Sequence, residues 1–436
     1  MIQTLDFRGG LPPLSQLLSL VPRAHTDVSA ALTTVTPLVR DVQSRGSAAL
    51  IEQAERFDGV RPDRLVMTTD DIDSALGGLD ARVHDSLKEA IARVKRGSVA
   101  QVPADRVTDL SPAGATITQR WVPVSRVGLY VPGGKAVYPS SVVMNVLAAQ
   151  AAGVSRIALA SPAQKEHGGR VHPTILAAAA LLGVTEVYAI GGAGAIGAFA
   201  YGVEDIGLEP VDVVTGPGNI YVAAAKRLVN GVVGIDAEAG TTEILILADD
   251  SANPRFIAAD LISQAEHDEA AAAILITPSP ALADSVREAV LASLPSVANA
   301  DRVEAALSGV QSGIILVDSI EDAVTVSNAY GPEHLELHTR DNNYVLAGVR
   351  NAGAIFMGDF TPVSLGDYIA GSNHVLPTGG NARYRSGLGA YTFLRAQQVV
   401  SYTAEALAEV HDQLVVLAEA EHLPAHGTAA TIRLES

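Results

Sequence analysis

Apolar residues along this chain recur in two rhythms, and the changes of rhythm mark its elements. From Asp27 to Phe57 they fall at helical spacing, and Asp70-Asp71-Ile72-Asp73 gives an acidic first turn to further helical periodicity through Val94. At Arg126 to Val131 a short β-rich run stops at Pro132-Gly133-Gly134, and an apolar helix follows from Val142 to Ala152, so a domain boundary is expected near 130. The runs Ile157 to Ala160, Val187 to Ile190 and Val211 to Val214 then alternate with alanine-rich helices, the pattern of a parallel, doubly wound sheet. Glu243 to Leu247, Ala272 to Thr277 and Gly313 to Val317 repeat that construction without an alignable repeat. A strand-like alternation follows Glu333-His334, and another strand is expected over Ala354 to Met357.

The spacing predicts a helix over Asp260 to Asp268, with Leu261 and Ile262 as its apolar edge. The ends are smaller pieces. Residues 1 to 22 form an arm whose Leu-rich patch, Leu14 to Leu20, is too small to fold alone, and from 382 a helical tail shows apolar periodicity between Val399 and Leu417. The fold class is α/β: two Rossmann-like doubly wound units of related construction, plus the N-terminal arm and a small C-terminal helical module.

Composition narrows the possible roles. The 436 residues, 48% of them hydrophobic, suffice for two or more cores and about three domains. Thirty Lys and Arg against 48 Asp and Glu give a net charge of -18, which opposes attraction to nucleic acid or an anionic membrane. The lack of cysteine excludes disulfides, thiolate metal sites and thiol catalysis, so a bound metal must use His, carboxylate, amide oxygen or water. Met1 to Pro13 lacks the basic start and apolar core of a signal peptide, and alanine-rich runs such as Ala177 to Leu182 are too short to span a bilayer. A soluble, cytoplasmic protein is expected.

The candidate chemistry is concentrated in the second half. Gln264 and His267 share one face of their expected helix, where an amide oxygen and an imidazole can meet one ion; the same spacing also suits a solvated polar face. Glu333 and His334, an acid beside an imidazole at a strand edge, suit proton transfer or a satisfied surface pair. The loop from Pro362 to Thr378 gathers Asp367, Tyr368, Asn373 and His374, a composition more often functional than decorative. Two glycine loops stand at strand ends. One runs from Gly191 to Gly197 and contains G-x-G-x-x-G from Gly192, with Asp212 about twenty residues on; the other is Gly216-Pro217-Gly218-Asn219. The first suits a dinucleotide phosphate or close packing of a helix on its sheet, and Asn219 can offer an amide to a ribose or phosphate. His426 reads as a ligand or as an exposed histidine near a terminus.

Taken in order, Tyr130-Val-Pro-Gly-Gly134, Gly216-Pro-Gly-Asn219, Ser263-Gln-Ala-Glu-His-Asp268, Pro332-Glu-His-Leu-Glu-Leu337, Leu365-Gly-Asp-Tyr368, Asn373-His-Val-Leu-Pro-Thr378 and Leu423-Pro-Ala-His426 strongly resemble the histidinol dehydrogenase family across nearly the whole chain. The resemblance implies an intertwined homodimer that uses zinc and NAD to oxidise L-histidinol to L-histidinaldehyde and then to L-histidine. It implies zinc ligands at Gln264, His267 and Asp367, with His426 donated by the partner subunit's tail. Glu333 and His334 resemble the catalytic pair, His334 taking the alcohol proton in the first oxidation and Glu333 activating water in the second. The four ligand positions, His334, Tyr368, His374, Glu421 and, more weakly, Ser140 resemble substrate contacts, and Thr242 keeps the hydroxyl of a substrate-site serine. Tyr130 and Asn219 resemble NAD contacts. By this grouping the first α/β domain comprises 23–129 with 243–381 and carries metal and catalysis, 130–242 binds NAD, and 382–436 reaches the partner.

Two positions depart from the family pattern. Gly194 stands where a glutamine contacts NAD, which makes the G-x-G-x-x-G a product of substitution, and Gly240-Thr241-Thr242-Glu243 replaces Gly-Pro-Ser-Glu. The rival readings are a paralogous zinc and NAD dehydrogenase of another small amino- or sulfo-alcohol, opposed by His374 and Glu421, and a zinc-stabilised binding protein that has lost its cofactor.

Overall fold

The β-rich runs assemble into two parallel sheets. The computed structural model describes residues 2–24, 28–133, 136–238 and 240–435; Asp27, expected to open the first helix, and Gly134 of the Pro-Gly-Gly turn lie outside the described residues. One sheet has six parallel strands in the spatial order Gln3–Asp6, Gly313–Leu316, Ala272–Thr277, Glu243–Ala248, His334–His338 and Ala354–Met357. The other has five, in the order Glu186–Ala189, Arg156–Ser161, Arg126–Tyr130, Val213–Thr215 and Gly234–Ile235. In each unit the first strand in chain order lies at the middle, the next two extend one side and the last two the other. The halves therefore share one doubly wound topology. The arm adds its own strand to the edge of the six-stranded sheet, and Leu17 of its helix Leu14–Leu20 is buried in that sheet's core.

Each sheet is covered on both faces, which is why strands such as Glu243–Ala248 and Ala272–Thr277 are buried along their whole length. The helices between residues 28 and 100 depart from the expected grouping. They cover the five-stranded sheet: Val35, Val39 and Leu50 share a core with Ile196, Phe199 and Val222, while Ile72, Leu87 and Val94 join Val142, Leu147 and Ile175. The small side chains of helix Gly192–Tyr201 permit this outer layer. A Cβ on Gly194 would stand 2.7 Å from Gln53 Oε1 and 3.1 Å from a Leu50 methyl, so the missing side chain makes room for helix Ser47–Phe57. The boundary expected near 130 also moves upstream, because Arg126–Tyr130 is the central strand of the second unit.

The tail is not helical from its start. Leu394–Ser401 is a strand antiparallel to Ala115–Pro123, which pairs in turn with Arg106–Ser111, forming a separate three-stranded sheet. Val399 and Val400 are strand residues, and the helix begins at Ala404, where the Thr403 hydroxyl accepts from Ala406 N at 3.1 Å. Helix Pro424–Thr431 completes the tail. Among the described residues no helix is long and apolar enough to cross a membrane.

The two parallel sheets use opposite edges. Tyr130 ends its strand, Gly192 begins a helix and Asn219 caps helix Ile220–Val229, so the glycine loops occupy the carboxyl edge of the five-stranded sheet, the usual ligand side. Glu333 and His334 instead stand at the start of their strand, while Gln264 and Asp367 lie near the ends of helices Pro254–Ala265 and Val363–Tyr368, which return antiparallel to the strands. That is the amino edge of the six-stranded sheet. Contacts from helix Pro139–Ala152 join the edges: Ser141 Oγ lies 3.0 Å from His374 Nε2, and Asn373 Nδ2 donates to the Met144 carbonyl at 2.9 Å.

Candidate active site

Glu333 and His334 are both buried, and each is fixed by the neighbouring strand. His334 Nδ1 lies 3.0 Å from the Glu243 carbonyl, which can only accept, so a neutral ring carries its hydrogen on Nδ1 and keeps the Nε2 lone pair. Glu333 Oε2 accepts from Thr242 Oγ1 at 2.6 Å and from Glu243 N at 2.8 Å. Burial pushes the Glu333 carboxyl above the usual carboxylate range, while His334 and these two hydrogen bonds pull the other way. A carboxylate brought nearer neutrality and an imidazole with a free lone pair can each accept a proton.

The Thr242 hydroxyl also connects this pair to the helix read as metal-binding. Gln264 Nε2 donates to Thr242 Oγ1 at 2.7 Å, and the Thr242 hydroxyl in turn donates to Glu333 Oε2. The amide is thereby turned so that its oxygen faces away from Thr242. Gln264 Oε1 is buried and has no hydrogen-bond partner, an arrangement that leaves it available to a cation.

His267 lies just beyond the helix rather than on it. Helix Pro254–Ala265 ends two residues earlier, and a turn in which His267 N donates to the Gln264 carbonyl at 3.3 Å brings the ring round. His267 Nε2 is 3.8 Å from Asp367 Oδ2. The Asp367 hydrogen bond raises His267 above its ordinary value against the opposing effect of burial. For Asp367 burial acts upward, but the hydrogen bond to His267 and the charges of His334, His267 and His374 outweigh it, and its carboxyl is lowered. One amide oxygen, one imidazole and one carboxylate match the N/O donor chemistry that zinc accepts without cysteine. His374 completes the wall: burial lowers the ring below its ordinary value, its Nδ1 lies 2.9 Å from the Asp367 carbonyl, which can only accept, and in the neutral ring Nε2 is left to accept from Ser141 Oγ at 3.0 Å. The serine engaged here is thus Ser141; Ser140, the position singled out by resemblance, is half-buried beside it.

At the other edge, Tyr130 is buried and its hydroxyl accepts from Gly192 N at 3.1 Å. Asn219 is exposed and spends its carbonyl oxygen capping a helix, accepting from Tyr221 N and Val222 N at 3.0 and 3.2 Å. Gly216, at φ +124°, passes so close to Tyr130 that a Cβ would stand 1.9 Å from its carbonyl oxygen. A Cβ on Gly192, the first residue of its ten-residue helix, would meet nothing within 4 Å. Two residues of the dinucleotide fingerprint have roles within the fold. Gly194 serves helix packing, and Asp212 accepts from Ser125 N and Arg126 N at 2.7 and 3.0 Å to hold a strand start.

Tyr368, Glu421 and His426 are exposed, and within one chain His426 does not come within ligand-sharing distance of His267 and Asp367. The sequence reading missed the support beneath the site. Glu243, buried behind Glu333 and pushed by burial up to about 7, is held by Arg23 at 3.3 Å. One turn below the Gln264 level, Asp260, Glu336 and His338 form a second buried polar group.

A family model described as histidinol dehydrogenase matches residues 21–434. Among curated proteins, the chain is 60% identical over 434 residues to a histidinol dehydrogenase of Leifsonia xyli subsp. xyli, covering 100% of this chain and 99% of that protein. It is 53% identical over 438 residues to that of Mycobacterium tuberculosis, covering 100% and 98%. The crystal structure of histidinol dehydrogenase from Elizabethkingia anophelis superposes with a TM-score of 0.92 at 32% identity, covering 100% of this chain and 98% of that one.

Proposed function

Because this chain belongs to the histidinol dehydrogenase family, a family of oxidoreductases in histidine biosynthesis, we propose that it oxidises L-histidinol through L-histidinaldehyde to L-histidine at the expense of two NAD molecules. The observation that carries the mechanism is the Thr242 hydroxyl, which ties Glu333 to Gln264 so that a proton acceptor and a metal-facing oxygen are set by one group. His334 Nε2 takes the hydroxyl proton of the alcohol as the carbonyl forms, and Glu333 takes a proton from the water that adds to the aldehyde. The carboxyl edge of the five-stranded sheet, with Tyr130 and Asn219, would hold NAD, which would supply the hydride acceptor for each oxidation. Gln264, His267, Asp367 and His426 of the partner subunit would hold zinc, which would supply a positive anchor for the imidazole and amine of the substrate. Tyr368, His374, Thr242, Ser140 and Glu421 line or approach the same substrate.

The homodimer reading is supported by the tail, where His426 and Glu421 are exposed alongside Val416, Leu417, Leu423 and Ile432, a patch that a second copy would cover. The net charge of -18 argues against nucleic acid as a partner, and we assign the protein to the cytoplasm.

The deciding assay is NADH formation from L-histidinol by the zinc-loaded protein. Two NADH per histidinol consumed are expected; turnover of small amino- or sulfo-alcohols with none of histidinol would replace this reading with the paralogue. For the shared site, His426→Ala and Gln264→Ala are each expected to be inactive. After subunit exchange their mixture should regain activity, because of the two sites in a hybrid dimer one is intact and the other carries both substitutions. No recovery from two folded, exchanging mutants would place His426 outside the site.

A further inference from the structure

The strand His334–His338, one in from the sheet edge, is polar at three of its five positions, although it is buried on both faces of a parallel sheet, where continuous apolar sequence is usual. Leu335 and Leu337 face one core, and His334, Glu336 and His338 share the opposite face. His334 belongs to the site already described. Glu336 and His338, 0% and 3% exposed, lie deeper, where they meet Asp260, 7% exposed, on helix Pro254–Ala265. Asp260 precedes Gln264 by four residues and so lies one turn below it.

The three side chains are arranged as a ligand set. Their candidate ligand atoms all lie within 4.8 Å of one another. His338 Nε2 is 3.4 Å from Glu336 Oε2, about the separation of two ligands that each stand about 2.0–2.1 Å from one tetrahedral ion. The other ring nitrogen, Nδ1, is 3.4 Å from Asp359 Oδ1, the outer carboxylate that typically orients a metal-binding imidazole. Glu336 Oε1 accepts from Val363 N at 2.8 Å, leaving Oε2 for the cluster. No described N–H or hydroxyl donates to the Asp260 carboxylate, which instead faces that of Glu336. Burial and the Glu336 charge push Asp260 up to about 7, and a side-chain hydrogen bond joins the two groups, so that without a cation the pair shares a proton. A divalent ion would balance both carboxylates and leave His338 neutral.

We propose that Asp260, Glu336 and His338 form a second binding site for a divalent ion of the zinc class, buried beneath the substrate-facing one. Its place also gives it a task. The ion would join the helix bearing Gln264 to the strand bearing His334, and Glu336 adds the start of helix Val363–Tyr368, which carries Asp367 one turn later.

The test is metal stoichiometry on the full-length protein, stripped with chelator, reloaded with zinc chloride alone, desalted and analysed by plasma mass spectrometry. Wild type should retain two zinc ions per chain, and Glu336→Gln and His338→Gln one. His267→Ala should also retain one, having lost the other ion. If His267→Ala keeps both while Glu336→Gln loses one, the deeper site stands and the assignment of His267 fails. A single ion in wild type, or equal content in wild type and folded Glu336→Gln, would overturn the second site. Should the Glu336 and His338 variants not fold, wild type and His267→Ala decide alone: one ion and none reject it, two and one sustain it.

Discussion

Replacing His334 with glutamine should slow the oxidation of alcohol to aldehyde by about 10²–10⁴-fold, the range for loss of a positioned general base. Glutamine preserves much of the volume, and its amide can still donate to the Glu243 carbonyl that now lies 3.0 Å from Nδ1. What it lacks is a basic lone pair where Nε2 stood. The aldehyde step draws on Glu333, whose two donors, Thr242 Oγ1 and Glu243 N, do not involve the imidazole. Single-turnover NADH bursts started from histidinol and from histidinaldehyde should therefore diverge, with the second largely preserved. Equal loss in both would end the division of roles between Glu333 and His334.

Thr242→Val is expected to weaken zinc binding by about 10–100-fold, the usual consequence of removing a group that orients a metal ligand. Valine fills the same space but can neither accept from Gln264 Nε2 nor donate to Glu333 Oε2, bonds of 2.7 and 2.6 Å. The Gln264 amide is then free to rotate its nitrogen toward the metal position. Glu333 loses one of two donors in a buried setting, where an unmatched polar group costs about 1–3 kcal/mol. Competition with a chromophoric chelator reads the zinc affinity directly, independent of turnover. Thr242→Ser should restore it, because only the hydroxyl is required. An unchanged affinity in Thr242→Val would show that Gln264 does not depend on this bond.

The sequence by itself determined the local elements and the chemical inventory. Apolar runs and alternation identify nine of the eleven strands of the two parallel sheets, since a parallel strand buried on two faces is usually apolar; the edge strands Gln3–Asp6 and Gly234–Ile235 carry no such run. The adjacency of Glu333 and His334 was likewise legible, because both stand at one strand start. Other features depend on segments far apart in the chain. Leu394–Ser401 pairs with Ala115–Pro123, yet most of its residues are exposed, so no buried face imposes a strand period on it. The helices from 28 to 100 carry apolar stripes that fit any sheet of suitable shape; the small residues around Gly194 decide which sheet receives them.

The candidate site divides the same way. Its residue types are written locally, but Thr242 bridging Gln264 and Glu333 arises from three separate segments, and the meeting of one sheet's carboxyl edge with the other's amino edge rests on contacts such as Ser141 to His374. Periodicity records which face of an element is buried. Which partner that face meets, and which polar atom is left facing a ligand, is settled only when remote segments pack together.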